Sequence, residues 1–187
     1  MTASAWESLS RRAQLLRLRR LGWTALTSFG IDRARMRLLR HEANTTFRVE
    51  AEGGPFVLRI SRPDVHTAQT IESEMAWLSA LRRETGLRVP EPVRSRGGSF
   101  VVVADDAGVP VPLACVLMRW LDGRFSDRRL TPAQLRRAGA LEAHLHDHAE
   151  SWVPPPGFRR PRVDTVTDAG KIASIAGSAA ASFSGDH

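Results

Sequence analysis

The sequence predicts an α+β domain built on a five-stranded antiparallel sheet with one long helix packed against it. Three observations carry this. Apolar residues alternate with period two between positions 46 and 60. They then switch to helical spacing at Ile71, Met75, Leu78 and Leu81, and return to strand-like runs at 99–104 and 114–121. Turn chemistry separates the runs, with Glu52-Gly53-Gly54-Pro55 as a hairpin and Asp105-Asp106-Ala107-Gly108 as a second turn. A sheet interrupted once by a long helix is the pattern of segregated α+β packing.

Residues 6–29 read as helix, with Leu9, Leu15, Leu16, Leu18, Leu21, Leu26 and Phe29 apolar between arginines. Gly22 is expected to split it in two, and Gly30 to stop it. Three strands follow: 36–41, 46–51 and 56–60. In the second, Phe47, Val49 and Ala51 share a face; in the third, Phe56, Leu58 and Ile60 do. The long helix starts near Asp64 or Thr67 and ends at Gly86. Val89-Pro90-Glu91-Pro92 reads as an extended connector, because a residue before proline avoids the helical region. After strands at 99–104 and 114–121, Asp122-Gly123 closes the sheet. Thr131, Pro132 and Gln134 form the N-cap, N1 and N3 of a helix reaching about Ala149, where Trp152 and Pro154-Pro155-Pro156-Gly157 end it. The expected organisation is an N-terminal helical segment (1–35), the sheet with its helix (36–121), a linker and the start of a helical region (122–163), and a disordered tail (164–187). Of the tail's 24 residues, 15 are Ala, Gly, Ser or Thr.

Composition excludes several classes. The chain is 42% hydrophobic and 25% charged, which suits a folded domain. Its net charge is +7, and every basic residue except Lys171 is an arginine. The arginines are spread over the chain, which reads as a solvated surface and makes nucleic acid an unlikely partner. Cys115 is the single cysteine, so an internal disulfide framework and a multi-cysteine metal site are excluded; in an apolar strand it reads as a small buried hydrophobe. His144 and His148 sit one helical turn apart, but no H-E-x-x-H accompanies them and a structural role is expected. No secretory h-region and no membrane-length apolar run occurs, so the expected location is the cytoplasm and no membrane partner is expected.

One ion pair stands out. Arg59 points away from the Phe56, Leu58 and Ile60 face of its strand. At about 100° per residue, Glu74 falls inside the arc of Ile71, Met75, Leu78 and Leu81, whereas Glu72 falls outside it. A carboxylate on the packed face needs a cation, and Arg59 supplies two parallel donors. Glu74 is thus the expected partner and Glu72 a surface acid. The stretch His41-Glu42-Ala43-Asn44-Thr45-Thr46-Phe47 carries no G-x-G-x-x-G, yet backbone amides and short polar side chains of such a turn can cradle phosphate oxygens.

The element order matches the small lobe of the protein-kinase-like fold, and the local stretches resemble the phosphotransferase enzyme family, which groups aminoglycoside phosphotransferases with homoserine-kinase-like and choline-kinase-like enzymes. The resemblance rests on residues 41–49, Phe56-Val57-Leu58-Arg59-Ile60, Glu74-Met75-Ala76-Trp77-Leu78, Val89-Pro90-Glu91-Pro92-Val93, the hinge-like run from Val116 to Arg124, Ala143-His144-Leu145-His146-Asp147, and residues 157–162. It covers about residues 10–163. It implies a kinase-like small lobe followed by a truncated helical large lobe, with an ATP site between them. Asn44 and Thr45 then lie over the phosphates, and Arg59 takes the usual lysine position, fixed by Glu74. Met118, Trp120 and Leu121 line the adenine end. A small-molecule hydroxyl acceptor and Mg²⁺ are implied too.

Two departures qualify this. Arginine replaces the kinase lysine, with a bulkier fork. The H-G-D-x-x-x-x-N loop and later metal-binding aspartate of the family, which orient the acceptor and hold Mg²⁺, have no counterpart; the acids after residue 150 are Asp164, Asp168 and Asp186. The expectation is an ATP-dependent phosphotransferase by descent, truncated or frame-shifted before its catalytic loop, with no catalytic or metal residues of its own. ATP binding is then weak or lost, and an exposed lobe face favours self-association. The alternatives are an inactive nucleotide-binding or interaction fragment, and a basic nucleic-acid-binding module.

Overall fold

A computed structural model describes residues 1–42, 44–62, 67–123 and 130–160. The tail expected to be disordered, and the alternative helix start at Asp64, lie outside the described residues. The elements in chain order are α1 (Ala3–Glu7), α2 (Arg11–Ser28), β1 (Ala34–His41), β2 (Asn44–Ala51), β3 (Gly54–Ser61), α3 (Ala68–Thr85), β4 (Pro92–Val93), β5 (Val101–Ala104), β6 (Leu113–Arg119) and α4 (Pro132–Ser151). The fold is α+β, as expected.

All strand pairings are antiparallel. The order is β1-β2-β3-β6-β4, and β5 also pairs with β6. The sheet therefore has six strands where the sequence predicts five. The addition is β4, which pairs Pro92 with Met118 and Val93 with Leu117. Its two residues lie beside a proline-rich connector, and such a short pairing, made through a distant strand, leaves no periodicity to read.

Each face of the sheet carries helix. On one side α2 covers Met36, Phe47, Val49, Phe56, Leu58, Ile60, Cys115 and Leu117, with Leu18, Leu21, Ala25 and Leu26 facing them. On the other side α3 packs Ile71 and Met75 against Phe100 and Val116. Gly22 does not split the N-terminal helix; the break falls at residues 8–10, where Ser10 caps α2. A Cβ on Gly22 would stand 3.1 Å from Leu58 Cδ2 and 3.5 Å from Met36 Sδ, so glycine here lets α2 approach the sheet closely.

The caps follow the sequence. Thr67 accepts from the Thr70 backbone N–H at the start of α3, and Gly86 ends it with a left-handed φ of 67°. Thr131 and Gln134 form the complete capping box of α4. Glu72, expected as a surface acid, has a structural role: its carboxylate accepts from Phe100 N–H at 3.2 Å, Val101 N–H at 2.9 Å and Ser99 Oγ at 2.9 Å. It fixes the start of β5 against α3. Among the described residues, no helix is long and apolar enough to cross a membrane.

Candidate nucleotide site

Register decides which side chains share the α3 face. Cross-strand partners project to the same side of an antiparallel sheet. Thr46 pairs with Arg59 and Arg59 with Val116; Arg48 pairs with Val57 and Val57 with Met118. These two transverse rows, together with Asn44, lie on the face that carries α3. Arg40, opposite Thr46, and Arg37, opposite Arg48, extend both rows to the sheet edge.

The centre is the Arg59–Glu74 pair. Arg59 Nη1 donates to Glu74 Oε1 and Nη2 to Oε2, both at 2.8 Å. The two side chains are 17% and 26% exposed. This bidentate fork fixes the guanidinium plane. It leaves Arg59 Nε buried, with no hydrogen-bond partner among the described residues. Asn44 Oδ1 and Arg48 Nε are in the same condition. Arg48 Nε stands 3.3 Å from Glu50 Oε1 but outside hydrogen-bond geometry. A buried polar atom left unpaired costs roughly 1–3 kcal/mol, and these three share one side of β2 and β3. A bound polyatomic anion with hydroxyl groups satisfies the Arg59 and Asn44 members of the set: the Arg59 Nε–H donates to an oxygen, and Asn44 accepts from a hydroxyl or, with its amide turned, donates.

Thr45 lies elsewhere. Its side chain is buried at 4% exposure on the α2 face, where the hydroxyl meets His41 Nδ1 at 2.8 Å. Burial, with Arg11 and Arg62 nearby, holds the His41 imidazole below its ordinary 6.5. Thr45 and His41 border a cavity of about 600 Å³ with Trp6, Leu18 and Ile60, separated from Arg59 by the sheet. The threonine side chain on the Arg59 face is Thr46.

At and beyond the end of β6, Met118 is half-buried and Leu121 is 38% exposed. The backbone N–H of Arg119 donates to Glu91 O at 2.8 Å and that of Trp120 to Pro55 O at 3.0 Å, so both amides are engaged within the chain. Trp120 Nε1 donates to Asp122 Oδ1 at 3.0 Å. The Arg48 guanidinium sits 4.4 Å from the Trp120 ring centroid. Sequence reading missed Arg48 and Thr46. Among the described residues no three His, Cys, Asp or Glu side chains converge as a metal site, so none is assigned to Mg²⁺. His144 and His146 are exposed. His148 is buried and accepts from Trp77 Nε1 at 3.2 Å through Nδ1, which puts the ring hydrogen on Nε2, 2.9 Å from Glu84 Oε2.

An antiparallel sheet, one helix packed on its face, and an Arg–Glu pair joining them make a kinase-like small lobe. The chain belongs to the phosphotransferase enzyme family, whose model matches residues 35–181, past residue 163 where the sequence resemblance ended. A microcompartment-associated aminopropanol kinase is similar at 36% identity and TM-score 0.66, over 77% of this chain and 44% of that one. An amicoumacin kinase, solved with AMP-PNP and Ca²⁺, shares the fold at 19% identity and TM-score 0.57, over 74% of this chain and 42% of that one. An uncharacterised protein of Deinococcus radiodurans is 30% identical over 128 residues, 68% of this chain and 36% of its own length. The chain spans about a third of that relative and less than half of either kinase.

Proposed function

We propose that this chain forms the nucleotide-binding half of an ATP-dependent phosphotransferase acting on a small hydroxyl-bearing molecule. The amino alcohols are the acceptor class suggested by the aminopropanol kinase. The observation that carries the reading is that the unpaired Asn44 and Arg59 atoms belong to side chains on the same face of the sheet, the one that carries α3. In it, Arg59 holds the α- and β-phosphates while Glu74 orients its fork. Asn44, Thr46 and the backbone at Thr45 cover the phosphates at the β1–β2 turn. Met118, Trp120 and Leu121 border the base. ATP supplies the transferable phosphoryl group when bound.

Residues 1–187 contain no His-Gly-Asp run and no asparagine beyond Asn44. The group that orients the acceptor hydroxyl and the metal ligands, which phosphoryl transfer requires, are therefore not assigned within them. A second reading follows: a polypeptide of residues 1–187 binds nucleotide without turning it over. Calorimetric titration of this polypeptide with ATP tests the first reading, with Arg59→Ala as control. Binding weakened at least about tenfold by the substitution, in keeping with loss of a charge-assisted contact, supports it. Equal binding by the variant overturns it. Incubation with labelled ATP, Mg²⁺ and aminopropanol tests the second, which labelled acceptor above the Arg59→Ala background would sink.

A further inference from the structure

We propose that Arg48, backed by Trp120, is the nucleobase-stacking platform of this site; the proposal rests on the nucleotide-binding reading above. Arg48 lies on β2 one same-face row from Thr46, while Val57 and Met118 continue its own row across the sheet. Same-face rows along a strand are about 7 Å apart. The Arg48–Val57–Met118 row is thus the neighbour of the Thr46–Arg59 row that faces the phosphates. An apolar floor of Val57 and Met118 suits a flat ring. An arginine beside it needs a reason, the more so because it stands directly opposite Arg37, a like-charge pairing that weakens a sheet.

The surroundings of Arg48 supply that reason. Trp120 is fixed twice, through its backbone N–H on Pro55 O and its indole N–H on Asp122, both at 3.0 Å. The Arg48 guanidinium carbon lies over the Trp120 ring, 4.4 Å from its centroid. The side chain is still 29% exposed. Its Nε stands 3.3 Å from Glu50 Oε1, an ion pair without hydrogen-bond geometry, so the contact with Trp120 is a second hold on the fork. A delocalised cation clamped on an aromatic ring offers its second face as a flat, polarised surface, and a purine is the flat partner that fits. Stacking of this kind does not distinguish adenine from guanine, because every base has a π-face. Arg48 therefore contributes affinity for the nucleoside, independent of base identity and separate from the phosphate contacts of Arg59.

The test is calorimetric titration of the 1–187 polypeptide with ATP, GTP and inorganic tripolyphosphate, each with Mg²⁺. Wild type is compared with Arg48→Ala, Arg48→Lys and Arg59→Ala, and melting curves establish that each variant is folded. The expected result for Arg48→Ala is a loss of about tenfold for ATP and GTP alike, with tripolyphosphate unchanged. Arg48→Lys, which keeps the charge but not the plane, is expected to fall short of wild type for both nucleotides. Equal loss of tripolyphosphate makes Arg48 a phosphate contact and overturns the proposal. A change in the ATP-to-GTP ratio makes it an edge reader and also overturns it, as does wild-type affinity in Arg48→Ala. Failure of the wild-type chain to bind any of the three ligands, or their undiminished binding by Arg59→Ala, overturns the nucleotide-binding reading itself. Tripolyphosphate bound as tightly as ATP by wild type leaves the phosphate site standing and removes the platform alone.

Discussion

Removing the Glu74 carboxylate tests the centre of the site most directly. The pair makes two charge-assisted hydrogen bonds of 2.8 Å between side chains 17% and 26% exposed. That places it between the exposed pairs, worth ~0–1 kcal/mol, and fully buried ones, whose breakage costs ~3–5 kcal/mol. Screening by the remaining water argues for the lower part of that interval, so Glu74→Ala is expected to destabilise the chain by about 2 kcal/mol. For a chain of this size that corresponds to a fall in Tm of about 4–8 °C. A double-mutant cycle with Glu74→Ala and Arg59→Met, followed by urea denaturation, separates the pair from the packing around it. The expected coupling energy is about 1–2 kcal/mol. A value below ~0.3 kcal/mol, within the additivity expected of unrelated sites, would refute the reasoning, because the observed geometry would then have no energetic content. ATP affinity provides a second readout: Glu74→Ala should weaken it while leaving Arg59 in place, since the guanidinium loses its fixed plane.

Further measurements address the scaffold. Cys115 is fully buried and its thiol is pushed up to about 12; a chromogenic disulfide reagent at pH 8 should leave it unmodified until denaturant is added, and prompt labelling of the native chain would contradict its burial. Gly22→Leu should destabilise the chain by about 1–3 kcal/mol through overpacking against Leu58 and Met36; an unchanged urea midpoint would show that α2 can shift freely. Asp106 accepts two hydrogen bonds from Arg20 and one from Gly108 N–H, and these, the Arg20 contact foremost, hold its carboxyl below the ordinary 3.8. A depressed folded-state value means that its contribution is present above about pH 3.8 and lost as pH falls below it. Melting curves from pH 5 to pH 2.5 should therefore show a steeper loss of Tm for wild type than for Asp106→Asn, and parallel curves would remove Asp106 from the acid response.

Much of the fold was legible because its signals are local. Period two in β2 and β3, period 3.6 in α3, the capping box of α4 and Gly86 at the end of α3 each depend on residues within one turn or strand. Glu74 was also legible, since the helical arc that carries Ile71 and Met75 inward carries it too. Thr45 shows how much a shift of a single residue matters. Phe47 and Val49 point to the α2 core, so Thr45, at the same parity, points there too, and Thr46 takes the opposite face. The alternation held this information, although the resemblance drew attention to Asn44-Thr45 as a pair. Arg48 was hidden for another reason. Its partner Trp120 is 72 positions away, and only the pairing of β2 with β3 and β3 with β6 brings them together. Glu72 escaped similarly: its helical angle places it off the Ile71–Leu81 arc, but the turn before β5 folds back to meet it. β4 and the close approach at Gly22 are likewise long-range facts.

The two faces of the sheet divide stability from positioning. Among the described residues, the α2 side holds a core cluster of sixteen buried hydrophobics, whereas the α3 side holds a cluster of four: Ile71, Met75, Phe100 and Val116. Hydrophobic burial is non-directional and scales with area, so the α2 layer secures the sheet and the α3 layer contributes far less of that kind. Polar contacts with defined geometry hold α3 in addition. Glu72 grips the start of β5, Gln69 donates to Gly157 O at 3.0 Å, and Ser73 accepts from Arg159 N–H at 2.8 Å. His148 reaches Trp77 at 3.2 Å and Glu84 at 2.9 Å, and stacks on Trp152. These contacts lie on either side of Glu74 along the helix, and several come from residues 148–159, which follow the sheet in the chain. Directional bonds fix a helix's rotation and axial position, which a small apolar patch alone does not. The height of the Glu74 carboxylate above Arg59 is therefore set in part by residues 148–159, and the geometry of the site is coupled to the docking of α4 and the turn beyond it.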